Sequence, residues 1–172
     1  RACPGCPKRN LAWPFVDTVL LNIMYNGINQ MSQDETAIVS PETWWDNLKA
    51  GFEWDNNPWM VNQFGHPYQG SNYFTAARAN GLGFYESAAV AAFGSATWEF
   101  FAENNRASLN DLINTTLGGI ALGETLHRLA WLVRAPRGGG SKTREWIALA
   151  IDPMGGATRM LTGDADRVVD KP

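Results

Sequence analysis

Charged and amide side chains interrupt the stretches of this chain that are otherwise built for burial. They run through Asn62-Gln63-Phe64-Gly65-His66-Pro67-Tyr68-Gln69-Gly70 and then Ala76-Ala77-Arg78-Ala79-Asn80-Gly81. They continue through Trp98-Glu99-Phe100-Phe101-Ala102-Glu103 and Ser108-Leu109-Asn110-Asp111, and close at Gly118-Gly119 and Gly123-Glu124. Burying a polar group is costly unless it is hydrogen-bonded, and burying a charge costs more unless it is paired. A fold for this chain must therefore give these groups partners or a task, so this stretch is where structure or function concentrates.

With 172 residues the chain is long enough for one domain with a real core. Charged residues make up 18%, which is low, while eight Trp, eight Phe and four Tyr are an unusual aromatic load. Trp and Tyr pair an apolar body with a polar tip and favour boundaries between wet and dry surroundings. A net charge of −3 with no basic run argues against nucleic acid as a partner. No run reaches 18 uncharged apolar residues, so a standard membrane-spanning helix is not expected. The chain opens at Arg1 and contains no signal peptide, so either a leader has been removed or the chain is part of a longer protein. Cys3-Pro4-Gly5-Cys6 reads as a local disulfide or two thiols, with a redox or zinc role the less supported alternative.

Pro14 suits a first helical position, and Val16, Leu20, Ile23 and Met24 then share one face of a helix over about 14–31. Asn22, Asn26 and Asn29 share another face, as a solvent stripe or a buried polar seam; the stripe is the simpler reading. Ser40-Pro41-Glu42 opens a second helix that ends near Gly51. The loop 52–59 is crowded with aromatics, which implies that it is anchored. Gly65, Pro67 and Gly70 predict a break around His66, with a helix over 71–80 stopped by Gly81. An Ala-rich helix is expected over 84–103. Ser108 with Asp111 resembles a capping box opening a helix to about Arg134. Gly118, Gly119 and Gly123 inside it imply close helix contact, or a break near Gly118-Gly119. Short helices follow from Ser141 and around 157–161, and 136–140 reads as a flexible loop. The expectation is all-α: a single compact helical domain of five to seven helices with irregular aromatic-rich loops. It spans 13–168, between an irregular tip at 1–12 and a tail at 169–172.

His66, Glu99 and Glu103 are the candidate catalytic residues. Two carboxylates one turn apart can share a proton, bind a cation or hold an arginine, and Arg78 and Arg128 are at hand. His66 beside Pro67 could serve as a general base oriented by Glu99 or Asp111. The competing reading is a buried network of Arg78, Asn80, Asn110, Asp111, Asn114, Glu124 and Arg128 that ties helices together. Glu124-Thr125-Leu126-His127 has the Glu-x-x-His spacing of a dinuclear metal site, but a second copy is missing. The cofactor stays open, with a mononuclear metal site of His66, Glu99 and Glu103 as one alternative. There is no G-x-S-x-G, and Gly138-Gly139-Gly140-Ser141-Lys142-Thr143 lacks the leading Gly of a phosphate loop.

Taken together, Asn62 to Tyr68, Ala76-Ala77-Arg78, Asn80-Gly81, Trp98-Glu99, Glu103, Ser108 to Leu112, and Gly118-Gly119 through Gly123-Glu124 resemble an uncharacterised bacterial family, domain of unknown function 3943. Asn47 to Asp55 and Arg159 to Asp164 also fit, so the resemblance covers about 13–168. It implies an exported envelope protein of Gram-negative bacteria, periplasmic or associated with the outer membrane, often with a barrel-like β-rich stretch after the helices. Membrane lipid or an outer-membrane protein is the partner it implies. Two expectations follow: a structural or binding module, or an envelope hydrolase acting on lipid or cell-wall material through His66 and Glu99/Glu103, in a metal-free or metal-dependent form.

Overall fold

The computed structural model describes residues 9–134 and 141–163. Seven helices account for nearly all of the fold, and among the described residues the only β-type pairing is one isolated bridge, Glu53 to Ser108. They are α1 (Trp13–Met31), α2 (Pro41–Ala50), α3 (59–79), α4 (Phe84–Phe101), α5 (109–134), α6 (Lys142–Ile151) and α7 (Pro153–Leu161). Cys3 and Cys6, the 136–140 loop and the tail fall outside the described residues.

Local sequence explains several ends. Ser40 and Thr43 cap α2 reciprocally, and Gly51 leaves it at φ +70°. Asn80 caps α3 through its own side chain on the Ala76 carbonyl at 2.9 Å, and Gly81 turns the chain at φ +79°. The break expected around His66 does not occur. A π turn, Val61–Gly65, runs straight into the α-helix His66–Ala79. Pro67 then stands at the second position after the widened turn, where its missing N–H and bulky ring are tolerated. A second π turn, Asn114–Gly118, lies inside α5 and absorbs the irregularity at Gly118-Gly119 without breaking the rod.

Helix α3 is the central element, packed by α1, α4, α5 and α7. Its backbone almost touches that of α5: a Cβ on Gly70 would lie 1.8 Å from the Thr115 carbonyl oxygen. Close approach is thus what the interior glycines serve. The apolar core is small, built on Leu21, Tyr73, Phe74 and Ala91 with a satellite of Ala77, Leu82 and Val90. Much of the rest of the interior is polar. Asn22 reaches the Gly94 carbonyl and the Thr97 hydroxyl, and its own oxygen accepts from Tyr73. Asn26 bonds the carbonyls of Ala37 and Ala102, both at 2.8 Å. Asn22, buried, and Asn26, half-buried, thus turn the amide face of α1 inward as a polar seam and not a solvent stripe. The apolar face points out instead: Val16, Leu20, Ile23 and Met24 are all exposed, Ile23 to 63%.

Candidate functional site

The polar residues singled out in the sequence separate into distinct clusters. One surrounds His66, which starts the α-helical part of α3 and is 5% exposed. Its Nε2 lies 3.4 Å from Asp111 Oδ2, while its Nδ1 is buried with no hydrogen-bond partner. Asp111, wholly buried, also accepts from Asn57 at 3.0 Å and from Asn110 at 3.1 Å. Asn110 extends the network to Asp55: its Nδ2 donates to Asp55 Oδ1 at 2.6 Å and its Oδ1 accepts from the Asp55 N–H at 3.0 Å. The backbone bonds Glu53 N–H to Ala107 O and Leu109 N–H to Glu53 O complete the dock. These contacts anchor the aromatic-rich 52–59 loop on the start of α5.

Glu99 does not pair with an arginine. Its Oε2 accepts the N–H of Ser108 at 2.8 Å, and its Oε1 is buried without a partner. In the expected capping box that N–H would have been taken by Asp111; Glu99 takes it from α4, which leaves Asp111 to face His66. Helix α4 ends at Phe101, so Glu103 leaves the helix and is not stacked one turn above Glu99. Glu103 lines a cleft of about 530 Å³ together with His66, Tyr25, Tyr68, Trp98 and Asn105. Asp34 and Asn57 are on the same wall.

Burial, with the neighbouring Glu103 charge, raises Glu99 to about 9. Burial raises Glu103 to about 7, against the pull of His66. The Trp98 indole N–H also holds Glu103 down, close enough to act electrostatically but not aligned as a hydrogen bond. Asp111 responds the other way. Burial pushes it up, but hydrogen bonds from His66 and Asp55 outweigh that and leave it below the usual carboxylate range. Asp55 is raised by burial and by the neighbouring Asp111 carboxylate.

The second cluster holds Arg78, Glu124 and Arg128. Glu124 accepts Arg128 at 2.7 Å and lies 3.2 Å from Arg78, whose Nη1 donates to the Leu82 carbonyl. These arginines are thus not partners of Glu99 and Glu103. Asn80 belongs to the end of α3, and Asn114 lines a separate cavity beside Tyr68. His127 sits 3.8 Å from Asp152, while Glu124 of the same Glu-x-x-His is taken by Arg78 and Arg128. Among the described residues no three His, Cys, Asp or Glu side chains converge to hold a metal ion. A third cluster, Arg134 and Arg159 on Glu145, ties the ends of α5, α6 and α7.

Sequence reasoning missed Asp34, Asp55 and Asn57 as site residues. Asp55-Asn56-Asn57-Pro58 carries a readable signal, since short polar side chains before a proline bond their own backbone in turns. Asn57 N–H does so on Asp55 at 3.4 Å.

Fold and site define an all-α module with a polar interior and one acidic cleft at His66. The chain belongs to the family described as domain of unknown function (DUF3943), whose profile it matches over residues 51–154. No curated protein and no solved structure matches it.

Proposed function

We propose that this chain is a cell-envelope binding module that docks sideways on membrane lipid at the outer membrane. One observation carries the reading: large apolar side chains face out while amides and carboxylates face in. Val16, Leu20, Ile23 and Met24 of α1 are 42–63% exposed, and Trp45, Trp54, Trp59 and Trp146 are each more than 60% exposed. Soluble monomers seldom carry contiguous apolar patches beyond a few hundred Å². Indoles at such edges suit the headgroup level of a bilayer. A groove of about 450 Å³ between α1, α2 and α4, lined by Val19, Ile23, Trp44 and Phe101, has the apolar character to take an acyl chain. Among the described residues no helix is long and apolar enough to cross a membrane, so the contact is lateral.

Flotation with vesicles of phosphatidylethanolamine and phosphatidylglycerol tests this. The chain is expected to rise with the vesicles, and Leu20→Ser with Ile23→Ser to stay below. A chain that remains a dispersed monomer in buffer and does not float contradicts the reading.

An envelope hydrolase is the second reading. The observation in its favour is His66 on a cleft wall with Asp111 behind it and Glu103, raised by burial to about 7, beside it. Thr36 brings a hydroxyl to that cleft, donated to Asp34 at 2.8 Å, and water is the other nucleophile this reading could use. This reading requires that His66→Ala and Glu103→Gln abolish hydrolysis of envelope lipid or cell-wall substrates while helical circular dichroism is kept. Hydrolysis that survives both changes rules it out.

A further inference from the structure

The cleft at His66 has an unbalanced charge. Asp34 and Glu103 stand on its wall, and Asp55, Glu99 and Asp111 lie behind it, all close enough to influence one another. His66 is the only wall residue among those described that can carry positive charge; no Lys or Arg lines the space. Two further features of the wall call for a ligand. His66 is more than nine-tenths buried with its Nδ1 unpartnered, its Nε2 being turned to Asp111, and Asn105 has a buried oxygen with no donor. Three aromatic rings, from Tyr25, Tyr68 and Trp98, face the same space.

A bare metal ion needs three or more ligands at one point, which these side chains do not offer. Acceptors spread around a space of about 530 Å³, with aromatic faces between them, suit an organic cation. We propose that this cleft binds a primary ammonium group, with Glu103 and Asp34 as counter-charges and the Asn105 oxygen as a neutral acceptor. The rings of Tyr25, Tyr68 and Trp98 supply the faces along which the carbon chain of the amine lies. Three N–H donors on one small cation match this acceptor-rich wall better than a methylated ammonium does. A free amine and the headgroup of an ethanolamine lipid share this chemistry.

Glu103 must be ionised to pair with the ligand. It faces His66 on α3, Asp34 before the 35–37 turn, Asp111 on α5, Glu99 on α4 and Tyr25 on α1. A proton on His66 opposes a bound cation, and ionised Asp34 and Asp111 favour it. Binding therefore strengthens as Glu103 loses its proton.

Calorimetric titration of ethylammonium chloride into the chain in a non-ionic detergent tests the proposal. Saturable binding is expected, tighter at about pH 8 than at about pH 6 because a carboxylate near 7 ionises between them. Glu103→Gln should weaken binding about tenfold or more, the order for losing one charged hydrogen bond, and should flatten the pH response. Asp34→Asn, at an exposed position, gives an independent reading if the buried change harms folding. Glu86→Gln, whose partner is Arg9, should change nothing. Phosphatidylethanolamine micelles that compete with ethylammonium where phosphatidylglycerol micelles do not identify a lipid headgroup; equal failure of both to compete identifies a free amine. No saturable binding at either pH, or binding untouched by Glu103→Gln and Asp34→Asn, overturns the proposal.

Discussion

Asn110 holds together more of the site than any other single side chain, because it bonds Asp55 twice and Asp111 once while the Ser108 hydroxyl donates to it at 2.9 Å. Asn110→Ala leaves buried carboxylates and an N–H unsatisfied, so a loss of about 2–4 kcal/mol is expected in denaturant unfolding. A loss below about 0.5 kcal/mol would mean that the 52–59 loop does not rely on this dock. Glu99 makes the pH behaviour predictable. Its folded-state value of about 9 and that of Glu103 near 7 both lie above the usual carboxylate value of 4.5, so the folded chain holds protons that the unfolded chain releases. Their contribution is fully present below about pH 4.5 and is lost as pH rises through about 7 and then about 9. Asp111 acts in the opposite sense, its contribution being lost as pH falls through its lowered value. Melting curves across the neutral-to-alkaline range should therefore show falling stability, and Glu99→Gln should flatten that fall. An unchanged slope in Glu99→Gln contradicts the assignment. Residue types at this site were legible in the sequence, which marked His66, Glu99, Glu103, Asn110 and Asp111. Their partners were not, because Asp34, Asp55 and Asn57 come from loops whose placement depends on backbone bonds to distant segments.

At the level of elements, glycine decides how closely α3 and α5 pack. A Cβ on Gly119 would lie 2.5 Å from the Gly70 carbonyl carbon, and one on Gly123 2.9 Å from Phe74 Cβ. Backbone cannot yield as a flexible side chain can, so Gly70→Ala or Gly119→Ala should cost about 3 kcal/mol or more, or prevent folding. Gly27, in α1, has open space around its missing Cβ; Gly27→Ala should stabilise by about 0.5–1 kcal/mol through helix propensity. Thermal unfolding of the three variants separates these outcomes, and equal tolerance of all three contradicts close α3–α5 packing. Helix content and most ends were readable, since caps such as Ser40 with Thr43 act locally. The run from 59 through Pro67 was not. Glycine and proline spacing forecast a break there, whereas a π turn shifts the hydrogen-bond register and lets the helix continue.

For the molecule as a whole, the partition of side chains is the feature that needs an external cause. A small core of Tyr73, Phe74, Leu21 and alanines is wrapped in amides and carboxylates, while aliphatic and indole groups are turned outward. Periodicity on α1 was visible in the sequence, but its direction was not, since a pattern of apolar residues does not say which face meets protein. Asn22 and Asn26 decide it, because each finds buried carbonyl partners on the inner side. The proposed lipid contact would account for the outward apolar face, and quenching of tryptophan fluorescence by lipids brominated along their acyl chains measures that contact most directly. Strong quenching is predicted from the exposed Trp45, Trp54 and Trp59, with Trp98, 3% exposed, contributing the unquenched remainder. A folded chain whose fluorescence is untouched by brominated lipid would contradict the central claim.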